Sequence, residues 1–87
     1  MANVEADPDK LRQLSREIVQ LAGQLEQIAQ QLPRAFARAD WGDADGRKFG
    51  ESLNGPVRAL GRLAADMRSE YPATLQRKIS ALDQYRR

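Results

Sequence analysis

Neither cysteine nor histidine occurs in the 87 residues. Their absence excludes disulfides, thiolate metal sites and thiol catalysis, and removes the commonest general base and metal ligand. No stretch approaches the 18 or so consecutive apolar residues that a membrane span needs. The opening MANVEADPDK has no basic segment followed by an apolar run, so it does not read as a Sec signal peptide. Export, if it occurs, is expected to need another machine. The net charge of +2 is too small to argue for nucleic acid. It is uneven, with five basic and six acidic groups in residues 1–40 against nine and six in residues 41–87. Arg58, Arg62, Arg68, Arg77, Lys78, Arg86 and Arg87 are spread along the second half, as on a solvated helix face.

A chain this short buries only about 60% of the surface its unfolded state exposes. Without disulfides, its stability is expected to come from regular helix packing or from a partner subunit.

What is present is helical periodicity. Asp7 suits an N-cap, Pro8 the first helical position and Asp9 the positive end of the helix dipole. Leu11, Leu14, Ile18, Leu21, Leu25, Ile28 and Leu32 then follow in steps of three and four, an unbroken heptad seam. Ser15, Ala22 and Ala29 run beside it as a row of small residues that lets another backbone come close. The spacing predicts a first helix over about 8–38, with Pro33 expected to kink it or make its last turn irregular.

A second helix is predicted over about 44–86, capped by Asp43 and carrying Phe49, Leu53, Val57, Leu60, Ala64, Met67 and Tyr71 at helical spacing. Leu75, Ile79, Leu82 and Tyr85 continue the pattern after a one-residue shift. Kinks are expected near Pro56 and Pro72. The first helix rises about 46 Å, and a partner starting near residue 44 covers that by about residue 74. Residues 75–87 are therefore expected to project past the hairpin. The fold expected is all-α, one antiparallel helical hairpin with its turn at about 39–43. Two antiparallel helices leave wide apolar stripes uncovered, so dimerisation into a four-helix bundle is expected.

The turn carries the sharpest motif. Trp41-Gly42-Asp43 lies between two long amphipathic helices, and Phe49 follows eight residues after the only tryptophan. This arrangement resembles the WXG family, the ESAT-like or Esx proteins, small helical hairpins exported by type VII secretion systems as homo- or heterodimers. The resemblance spans essentially the whole chain. It implies Trp41, Gly42, Asp43 and Phe49 as a recognition turn, with dimer contacts through Leu11, Leu14, Ile18, Leu21, Leu25, Ile28, Leu53, Leu60, Ala64 and Met67. The implied partners are a second copy or a paralogous WXG protein, and the secretion ATPase. The protein would be made in the bacterial cytoplasm and exported without a Sec leader.

Two departures stand out. The family glycine falls where this chain has Asp43, whose tolerance of positive φ and capping ability suit the turn. The family's C-terminal Tyr-x-x-x-Asp/Glu signal is not met by Tyr71, which has Leu75 four residues on. Tyr85 lies where the signal tyrosine would fall, followed only by Arg86 and Arg87, so the signal is cut short or supplied by a partner.

No catalytic constellation, cofactor or small-molecule substrate is expected. Asp43 and Asp45 lack a histidine partner. A calcium loop counted from Asp40 would reach Glu51 at its twelfth position, but Trp41 and Gly42 fit such a loop poorly. Two other classes are a structural helical adaptor or targeting module of a longer toxin, and a nucleic-acid-associated helical protein using the basic second half.

Overall fold

The computed structural model describes residues 6–85. Arg86 and Arg87 lie outside the described residues. Three helices occupy nearly all of the described chain: α1 (Pro8–Arg38), α2 (Ala44–Arg68) and α3 (Glu70–Tyr85). α1 begins as its sequence predicts. The Asp7 carboxylate accepts a hydrogen bond from the Asp9 N–H at 2.9 Å, and Pro8 occupies the first turn, where its missing N–H costs nothing. The helix then runs through Pro33 to Arg38 without a break, and of the irregularity expected over residues 33–40 the departure from helical geometry comes at Asp40.

α1 and α2 pack antiparallel as a hairpin, meeting where their side chains are smallest. Ala22 and Ala64 are completely buried, Met67 closes over them, and Ile18 and Leu25 pack against this cluster. Alanine at the contact lets two helix axes approach toward the short end of the usual 8–10 Å range. Four residues assigned to a dimer interface, Ile18, Leu25, Ala64 and Met67, therefore serve the hairpin's own core. They do so because Ala22, from the row of small residues, faces α2.

The predicted second helix is two helices. The break falls at Ser69, not at Pro72, and Pro56 is carried inside α2. A proline at 72 has no N–H to offer the carbonyl four residues back, and its ring crowds that carbonyl. The chain resolves this by ending α2 at Arg68. Ser69 leaves helical geometry (φ −123°, ψ −61°), while its N–H and hydroxyl both donate to the Ala65 carbonyl, at 3.1 and 3.0 Å. The Ala73 N–H then donates to the Ser69 carbonyl at 3.1 Å, which starts α3 and places Pro72 in its first turn.

The bend also corrects the expected overhang. α3 packs on α1 and does not project into solvent. Ile79 and Leu82 are buried on it, and Asp83 accepts from Arg12 at 2.6 Å near the start of α1. Tyr85 remains 90% exposed.

A second ion pair joins α1 and α2. Arg68 donates twice to Glu26, at 2.7 and 2.9 Å, in a two-pronged geometry. Hydrogen bonding to Arg68 holds the Glu26 carboxyl below its ordinary 4.5 and raises the guanidinium. Because the folded-state value is the depressed one, the pair's contribution is present above pH 4.5 and fades as pH falls through the lower folded value. Both groups are solvent-accessible, so the effect on stability is expected to be small. An NMR titration of the Glu26 side-chain carboxyl is expected to give a midpoint below the ordinary 4.5, and Arg68→Gln is expected to remove the shift.

Candidate recognition surface

Two features stand out on the hairpin, an aromatic apex and an apolar face. The apex is built by the ends of α1 and α2. α1 stops in a left-handed turn, with Asp40 at φ 52° and the Ala39 and Asp40 N–H groups donating to Phe36 and Ala37. The positive φ expected at Asp43 is thus found at Asp40, a residue type that tolerates it. Asp43 itself is extended (φ −80°, ψ −177°) and caps α2 by accepting the Gly46 N–H at 2.9 Å. Arg47 donates to the Gly42 carbonyl at 3.1 Å, tying the turn to the first coil of α2.

Phe49 lies between two aromatic neighbours. Its ring centroid is 5.7 Å from that of Phe36 on α1 and 5.7 Å from that of Trp41, tilted 33° and 37°. Such offset, tilted pairs contribute about 0.5–1.5 kcal/mol beyond area burial. Trp41 and Phe49 pin the apex, yet each keeps nearly half its surface in solvent, 44% and 46%. Phe49 is therefore only partly covered by its neighbours.

Two glycines that sequence reasoning passed over make this packing possible. A Cβ at Gly46 would fall onto the Trp41 carbonyl oxygen and 2.8 Å from Trp41 Cγ. A Cβ at Gly50 would stand 2.8 Å from Phe36 Cε2. Four residues apart, they present one bare strip of α2 on which Trp41 and Phe36 lie. The Gly-x-x-x-Gly spacing at the start of α2 was the available signal. Gly42, the glycine of the turn motif, has a negative φ and open space around its Cα. Its identity is not required by sterics.

The second feature is a row of apolar side chains left on one side of the hairpin. Leu14, Leu21 and Ile28 are 43%, 49% and 48% exposed, and their seven-residue spacing sets them in line along α1. Leu63 on α2 is 41% exposed. Leu21 precedes buried Ala22 by one residue, and Leu63 precedes buried Ala64 by one. In an antiparallel pair equal offsets lie on the same flank, so Leu63 faces the same way as the α1 row. Leu11, Leu53 and Leu60 are half-buried. Of the residues assigned to a dimer interface, Ile18, Leu25, Ala64 and Met67 form the internal core and Leu14, Leu21 and Ile28 an exposed row, to which Leu63 belongs.

Among the described residues no group of three or more acidic side chains could hold a metal ion, and no helix is long and apolar enough to cross a membrane. Comparison of the chain with protein-family models, with characterised proteins and with solved structures gives no match in any of the three.

Proposed function

We propose that this chain is a binding protein without chemistry of its own, which pairs with a second helical hairpin, its own copy or a paralogue, across the Leu14–Leu21–Ile28–Leu63 face. The observation that carries the reading is that row. Exposed apolar residues scattered singly are ordinary, but an aligned row running along one flank marks an association surface. Pairing two such faces would bury both rows in a four-helix bundle.

The secretion reading rests on the resemblance at the apex and on the hairpin it joins. In it, the protein is a WXG-type component or substrate of a type VII system, made in the bacterial cytoplasm and exported without a Sec leader. Half-exposed Trp41 would be read together with a partner's tail, and the secretion ATPase would receive the pair. The same exposed row also suits a structural helical adaptor, which would pair without being exported.

Sedimentation at micromolar concentration tests the pairing. A dimer, or a complex with a helical protein from the source cell, is expected; a monomer with no such partner overturns it. Trp41→Ala separates the two roles of the apex. Lost export with pairing intact supports a recognition turn. Lost helicity identifies Trp41 as the closure of the hairpin and nothing more.

A further inference from the structure

A third feature lies on the other flank of the hairpin. Beside the apex an open cleft of about 530 Å³ runs between α1 and α2. Its floor is apolar, formed by Pro33, Phe36, Leu53 and Val57. Its α2 edge carries Arg47 and Arg58, with Glu51 between them. Arg47 and Arg58 follow buried Gly46 and half-buried Val57 by one residue each, whereas Leu63 precedes Ala64 by one. The cleft and the apolar row therefore face opposite ways.

The charges along this edge are ordered. Arg47 and Arg58 are eleven residues apart, so they lie about three turns and about 16 Å apart on one line of α2. Neither is in an ion pair among the described residues. Arg47 spends one donor on Gly42 and keeps the rest of its five-donor fork. Glu51 repels a carboxylate placed midway. An extended peptide rises about 3.3 Å per residue with alternate side chains on one face, so carboxylates four positions apart share a face, stand about 13 Å apart and reach both guanidiniums through their flexible side chains. The residues between them would then lie over Phe36, Leu53 and Val57.

We propose that this cleft binds an acidic segment of another protein, seating an apolar side chain on its floor between two carboxylates that meet Arg47 and Arg58. The site does not depend on pairing through the opposite face. Its charge order selects against a basic segment and against one acidic throughout.

The test is fluorescence anisotropy with a peptide labelled at its N-terminus, fluoresceinyl-Gly-Glu-Gln-Phe-Gln-Glu-amide, and its counterpart with lysine in place of both glutamates. At low salt the acidic peptide is expected to bind at least about tenfold tighter than the lysine peptide, and more weakly as salt rises. Charge reversal at both arginines, Arg47→Glu with Arg58→Glu, is expected to lower its affinity about tenfold or more while circular dichroism stays unchanged. Trp41 emission should shift on binding, because Phe36 connects the floor to Trp41 through Phe49. A variant whose apolar row is broken should bind the peptide as well as the parent, which separates this site from the pairing. Equal binding of the two peptides, no binding up to millimolar concentration, or an equal loss on reversing Arg77 and Lys78 of α3 overturns the proposal. So does competition by the peptide with the chain's self-association, which would give the cleft to a second copy.

Discussion

Gly46→Ala is expected to destabilise the chain by about 1–3 kcal/mol, whereas Gly42→Ala leaves stability within about 0.5 kcal/mol. The contrast follows from surroundings, since both residues have negative φ. The added methyl at 46 meets the backbone and ring of Trp41, and a backbone carbonyl cannot step aside as a flexible side chain would. Either α2 slides from the apex or Trp41 leaves Phe49. At 42 the same methyl enters open space. Urea denaturation of both variants measures the difference, and Trp41 emission shows whether the ring is displaced. Equal stabilities would mean that the apex yields without cost and that Trp41 is not held as described.

Leu21→Glu together with Ile28→Glu is expected to abolish self-association, or association with a paralogue, while leaving the hairpin helical. Both side chains stand outside the buried cluster and are about half exposed, so the isolated chain loses little by the change. In a paired state each would place an unpaired carboxylate in an apolar seam, at several kcal/mol apiece. Even one central apolar contact contributes about 2 kcal/mol, which is about thirtyfold in affinity. Sedimentation equilibrium of parent and double variant, with circular dichroism as the control, gives the answer. An unchanged association constant would remove this face from the interface. Ala64→Glu should behave differently and unfold the chain, since that residue is wholly buried within it.

Most of the fold was legible because helix periodicity and capping are local. Asp7, Pro8 and Asp43 act where their chemistry places them, and Ala22 of the small-residue row packs against α2 as a small residue should. What was not legible depended on which of two apolar rows turns inward. A heptad places Leu14, Leu21 and Ile28 beside Leu11, Ile18 and Leu25 without saying which faces α2. That choice was made by Ala64 and Met67 on the opposing helix. The break at Ser69 was misplaced for a different reason. A proline's steric demand falls on the residues before it, so the interruption appears three positions upstream of Pro72. The apex was half legible. Trp41 and Phe49 were visible as partners and the Gly46–Gly50 spacing was a signal passed over, while Phe36 becomes evident only in three dimensions.

The docking of α3 on α1 also bears on the order in which the chain closes. Arg12 and Asp83 are paired across 71 positions, whereas Phe36 and Phe49 meet across thirteen. The shorter loop closes at the lower entropic cost, so the apex is expected to form before the Arg12–Asp83 end. The first turns of α1 wait longest for their cover. Until Ile79, Leu82 and Asp83 dock, that apolar end is open to another unfinished hairpin.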